Sequence, residues 1–218
     1  MNYKALATLM LLTSLGWSHD FWLKPAPQGA ILRYGHGSEE EPYKSEKLKK
    51  ASALDAQGKV LEVKTADDGG KVRLQAPAEA VQLGSELDNG YWSKNVGGWA
   101  NRSRRETPGC LLSEWSLYYA KVLLKPQACL GKPLGHPLEI VPLEVSNEHL
   151  RVRVLLHGKP VSGLKIYSNH KRVAESDEQG EANWKRQGET IVSVSMKEAL
   201  QGNPDAERLH HHASLTVP

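Results

Sequence analysis

Apolar residues fall into one continuous run near the start of the chain and short alternating stretches after it. Residues 5–15 carry no charge and follow Lys4, and Gly16-Trp17-Ser18 places small residues at the third and first positions before a cut after Ser18. That pattern predicts a secretory signal peptide over residues 1–18. The run is shorter than the about 20 residues a membrane-spanning helix needs, and no later segment is apolar enough to cross a bilayer. Downstream, residues 30–34, 60–63, 71–74 and 80–83 read as strands, each bounded by Gly, Pro, Asp or Asn. Residues 116–124 suit a helix by composition. Leu117, Tyr119 and the β-branched Val122 suit a pleated surface better, so a strand is expected there.

The pattern changes register near residues 142–147. Residues 150–155 alternate apolar and basic positions with period two, and His157-Gly158-Lys159-Pro160 reads as a turn. Strands are expected over 164–167, 188–196 and 212–217, with another turn at 176–180. The expected fold class is therefore all-β, with two β-sandwich modules: an N-terminal domain over 19–145 and a small C-terminal domain over 146–218.

Removing residues 1–18 leaves 200 of the 218 residues, and the formal charge of +3 loses only that of Lys4. So small a balance, without a basic stripe interleaved with aromatics, argues against a nucleic-acid partner. The run Lys44, Lys47, Lys49 and Lys50 is answered by Glu39, Glu40, Glu41 and Glu46 and reads as a solvated face. Two cysteines, Cys110 and Cys129, in an exported chain point to one disulfide; a soft metal pair is the alternative, at a separation far from C-x-x-C.

Cleavage after Ser18 makes His19 the first residue of the mature chain. A terminal histidine offers its α-amine and imidazole Nδ1 together, so it can chelate one metal ion as no internal histidine can. Further candidate ligands are Asp20, His36 in Tyr34-Gly35-His36-Gly37, and the run His210-His211-His212. On a strand, His210 and His212 share one face and can form a two-imidazole arm for zinc, nickel, cobalt or copper. The plain readings are a turn histidine at 36 and a solvated tract at 210–212. His136, His149, His157 and His170 sit in turn-like contexts and are expected at the surface. Tyr91, Trp92 and Trp99 could stack on a flat ligand, although buried sandwich tryptophans explain them as well. No nucleophile elbow, H-E-x-x-H helix, P-loop or dinucleotide fingerprint is present.

Several segments together resemble a family of exported bacterial proteins once described as NikM-like nickel-uptake components. These are His19-Asp20-Phe21-Trp22-Leu23-Lys24-Pro25, Tyr34-Gly35-His36-Gly37, Asp88-Asn89-Gly90-Tyr91-Trp92, Tyr119-Ala120-Lys121 and Leu138-Glu139-Ile140-Val141-Pro142-Leu143. Gly158-Lys159-Pro160-Val161-Ser162-Gly163 and Asp177-Glu178-Gln179-Gly180 also match, and they occur in transthyretin-like and carboxypeptidase-regulatory-like modules too. The resemblance implies a periplasmic protein linked to transition-metal uptake, with His19 and His36 as the site. A membrane metal transporter is the partner it implies.

These readings converge on a periplasmic, non-enzymatic metal-binding protein that assists uptake or delivery of nickel, cobalt, copper or zinc. The expected ligands are His19, His36, His210 and His212. One alternative is a copper histidine-brace oxidative enzyme, whose open coordination positions the additional histidines would close. Another is a metal-free carbohydrate- or protein-binding sandwich.

Overall fold

The computed structural model describes residues 19–36 and 39–218; the expected signal peptide and its cleavage after Ser18 lie outside the described residues. Apart from two single-turn 3-10 segments, regular structure among them is all strand. β1 (Asp20–Ala26) and β2 (Gly29–His36) form a hairpin, followed by the short β3 (Glu39–Glu40). Next come β4 (Leu48–Asp55), β5 (Val60–Glu62), β6 (Lys64–Asp67) and β7 (Val72–Gln75). β8 (Ala80–Asn95), β9 (Gly98–Ala100) and β10 (Leu112–Leu123) follow. β11 (Leu138–Val145) and β12 (His149–Leu156) form a second hairpin, leading to β13 (Lys159–Pro160), β14 (Lys165–Ser168) and β15 (Lys171–Glu175). β16 (Glu181–Lys185), β17 (Thr190–Ala199) and β18 (Arg208–Val217) complete the chain.

The strands form three sheets. The first runs β1-β2-β7-β6, with β3 on β2; the largest runs β15-β14-β17-β18-β10-β8-β4-β5, with β9 on β8. The third runs β11-β12-β13, with β16 on β12. Side chains alternate across a strand, so the largest sheet can feed a core on each face. Tyr118, Ala120 and Val122 of β10 join Phe21, Leu23, Leu32 and Leu74 in one core. Tyr119 and Leu123 of the same strand join Ile140, Leu150, Val152 and Trp184 in the other. The fold is thus all-β, as expected, with two sandwich cores that share a central sheet.

The boundary expected at 145/146 falls in the turn between β11 and β12, where the Ser146 amide donates to the His149 carbonyl. The end of the chain crosses back over that position. β18 pairs in parallel with β10, from Glu114 opposite Arg208 to Val122 opposite Thr216. Parallel neighbours cannot be joined by a tight turn, so the intervening residues, which build the second core, act as the crossover.

The expected disulfide is not formed: Cys110 and Cys129 are both free thiols, and Cys129 is buried. The reason is topological. Cys110 precedes β10 and Cys129 follows it, and at about 3.3 Å per residue that strand holds the two ends roughly 40 Å apart. A disulfide needs Cα atoms within about 7 Å. Burial pushes the Cys129 thiol up to about 11. No helix among the described residues is long and apolar enough to cross a membrane.

Candidate metal centre

The register of the first hairpin creates the site. Asp20 lies opposite Gly35 and Phe21 opposite Tyr34, which brings His19, just ahead of β1, alongside His36 at the end of β2. Alternation puts His19 and Phe21 on the face that also carries Tyr34 and His36. The rings form a continuous ladder: Phe21 to Tyr34 at 4.4 Å, Tyr34 to His19 at 5.0 Å and His19 to His36 at 3.8 Å between centroids. Gly35 makes this possible. Its φ is +145°, and a Cβ there would lie 2.0 Å from the Glu39 carbonyl oxygen, so β3 could not fold back onto β2 with any larger residue. That return brings Glu41 to the cluster, where its amide donates to the Tyr34 carbonyl at 2.8 Å.

Three groups converge here. One ligand atom from each of His19, His36 and Glu41 lies within 4.8 Å of the others. His19 Nε2 meets Glu41 Oε1 at 2.7 Å, with about a third of the His19 side chain exposed. The buried Nδ1 of His36 has no hydrogen-bond partner among the described residues. An orphaned buried nitrogen costs about 1–3 kcal/mol, which a metal ion bound there would offset. Burial, followed by repulsion from His19, lowers the His36 pKa, with Glu41 opposing. His36 is therefore a neutral imidazole at pH 7, the form that binds metal. Two imidazoles, one of them held by a carboxylate, fit nickel, cobalt, copper or zinc, and fit magnesium or calcium poorly.

His210 and His212 share one face of β18, as the strand period requires, with ring centroids 3.8 Å apart. Among the described residues they do not belong to the three-residue cluster at His19. His210 Nδ1 is held by Glu114 Oε2 at 3.0 Å, and the other oxygen of that carboxylate accepts from Lys197. Burial pushes the Glu114 carboxyl up, but the bonds from His210 and Lys197 outweigh it and leave the group at about 2. His212 is stacked on Tyr118 at 4.1 Å, and burial drives its pKa well down. The Tyr118 hydroxyl donates to the His19 carbonyl at 3.0 Å, so this pair buttresses the site from behind. Asp20, the neighbouring candidate, turns to the Ser193 side chain, and burial raises its carboxyl to about 7.

Other expectations change as well. His170, expected at the surface, is half-buried in the β14–β15 turn, close enough that its charge lowers the His36 pKa. His170, which lies in no histidine run, is thus a further histidine that the C-terminal half brings near His36. His136 is 4% exposed and not a surface residue. Trp99 is exposed rather than buried, while Trp92 braces its own strand by donating from Nε1 to the Asn89 carbonyl. Lys121 and Glu139, which fall in two of the family-like segments, form a buried ion pair at 2.7 Å. Of the glutamates expected to answer the lysine run, Glu46 pairs with Lys44, while Glu40 pairs with Arg33 and Lys71 and Glu41 with His19.

A protein of Haemophilus influenzae (strain Rd), described only as an uncharacterized protein, is 30% identical over 208 residues, which cover 92% of this chain and 90% of that protein. Residues 16–199 match the family described as a domain of unknown function, DUF4198, so the His19 cluster and every strand except β18 lie in family sequence and the chain belongs to that family.

Proposed function

We propose that the exported, mature protein binds a transition-metal ion at its processed N-terminus and serves metal uptake or delivery in the periplasm. The observation that carries this reading is the convergence of His19, His36 and Glu41 within 4.8 Å. In it, His19 chelates through its α-amine and Nδ1, and His36 supplies its buried Nδ1. Glu41 accepts the Nε2 proton of His19, which orients the ring and makes Nδ1 the ligand. The metal is cargo drawn from nickel, cobalt, copper and zinc, and a membrane transporter is its partner.

The test compares mature protein starting at His19 with a variant carrying one extra residue before it, by competition titration with nickel, copper and zinc near pH 7. The extension separates the amine from the imidazole and removes a chelate ring. The expected loss exceeds the about 10- to 100-fold typical of groups that only orient a ligand. Equal affinity of the two forms overturns the chelate.

A second reading, a copper histidine-brace oxidative enzyme, gains from one observation. His210 is held by Glu114 and His212 by Tyr118, so these histidines do not crowd the positions an open copper site needs. Oxygen-dependent turnover by the copper-loaded protein separates the two readings.

A further inference from the structure

The period-two alternation that puts His210 and His212 on one face of β18 puts His211 on the other, towards the second core. There His211 Nε2 lies 2.9 Å from Glu198 Oε2. Glu198 comes from β17: Met196 is directly opposite His211, and Glu198 is two residues further along the same face, a diagonal neighbour. His157 Nε2 approaches the same carboxylate oxygen at 3.3 Å. It comes from the two-residue turn between β12 and β13, where its φ of +50° places the ring. One ligand atom from each of the three residues lies within 4.8 Å of the others.

From this geometry we infer that His157, Glu198 and His211 form a second transition-metal site, separate from the one at His19. In a tetrahedral zinc site, bonds of about 2.0–2.1 Å put neighbouring ligand atoms roughly 3.3 Å apart. The edge from His157 to Glu198, at 3.3 Å, has that spacing, and the edge from His211 to Glu198, at 2.9 Å, is shorter by a few tenths of an ångström. His211 is also set as a ligand from behind: its Nδ1 lies 3.1 Å from the Tyr119 hydroxyl, so Nε2 is the nitrogen presented to the cluster. A partner on the far nitrogen is what fixes the tautomer and ring orientation of a metal-bound histidine. The His211 side chain is only 2% exposed and that of His157 is 58% exposed. One ligand is therefore rigid and buried while another faces solvent, which gives an ion a way in and leaves the fourth position open to water or a small ligand. Two imidazoles and one carboxylate select zinc, cobalt, nickel or copper over magnesium and calcium.

The experiment uses the mature full-length chain with His19→Ala and His36→Ala, so its result is independent of the reading above. Zinc is titrated by calorimetry and cobalt by its visible absorption. The expected result is one equivalent of zinc, with the intense visible bands of four-coordinate cobalt. Adding His157→Ala or Glu198→Gln should weaken zinc binding by more than about 100-fold, beyond the loss expected for a group that only orients a ligand. His149→Ala is the control and should leave it unchanged. Both informative substitutions are at exposed or half-exposed positions, so a misfolded His211 variant would not decide the outcome. No zinc bound to the His19→Ala, His36→Ala protein, or binding indifferent to both His157→Ala and Glu198→Gln, overturns the site.

Discussion

At His136 the imidazole is packed beside Glu139 and Lys121, whose side chains are each 2% exposed. At His19 the imidazole meets Glu41 with 34% and 43% of the two side chains open to water. Both regions combine histidine and glutamate, yet their physics points in opposite directions. Glu139 is saturated: it accepts from Lys121 and from the backbone amides of Leu134, Gly135 and His136. Such a group has nothing left to offer a ligand, and its work is to tie β11 to β10 across the second core. Glu41 has its partner in one imidazole, and the His36 nitrogen beside it is orphaned. Residue type does not separate the two regions, and neither does an orphaned nitrogen, since the buried Nε2 of His136 also lacks a partner among the described residues; the saturation of the carboxylate and the exposure of the pair do.

The largest expected effect breaks the buried side of this contrast. Lys121→Met leaves the Glu139 charge buried without its partner, and should cost about 3–5 kcal/mol of stability by denaturant titration. Metal affinity at His19 should be unchanged. A loss of metal binding in a protein still folded would mean that the two regions are not independent.

Next comes acidification. Burial chiefly, opposed by Glu139 and reinforced by Lys121, lowers the His136 pKa from 6.5 to about 4. Between those values the unfolded chain takes up a proton that the folded chain refuses. The His136 contribution to stability is therefore complete above about pH 6.5 and is lost as pH falls towards 4, by about 3 kcal/mol in all. Unfolding midpoints measured across that window should fall steeply, and less steeply in His136→Gln. An unchanged slope in that variant would move the acid sensitivity to the other buried histidines, His211 and His212.

The smallest effect sharpens the open side. Glu41→Gln removes the charge that orients His19 while keeping the shape, and should weaken metal binding by about 10-fold. Its melting temperature should be unaltered, because an exposed pair contributes about 0–1 kcal/mol. A loss as large as that of His19→Ala would make Glu41 a direct ligand.

Much of this was legible in the chain. Strands were expected where β2, β5, β7, the start of β8, β10, β12, β14, β17 and β18 stand, because their alternation and turn residues are local properties. β1 begins one residue after His19, where prolines obscure the alternation, and β4 is hidden by Lys49 and Lys50, which are exposed while Ala53 and Leu54 are buried. The pairing of His19 with His36 follows from one hairpin and could be anticipated. Glu41 could have been found with it, since Gly35 demands a close return of the chain. Nothing local, by contrast, distinguishes Lys121 and Glu139 from surface charges.

By itself the sequence determined the all-β class and the common face of His210 and His212, since each depends on a repeat of two residues. The tertiary structure alone decided that the two sandwich cores share a sheet and that His157, Glu198 and His211 meet. The shared sheet depends on β18 pairing with β10, which sets Arg208 opposite Glu114, 94 residues earlier in the chain. Such a pairing is selected by the burial of two whole cores at once, and no window of neighbouring residues carries that information.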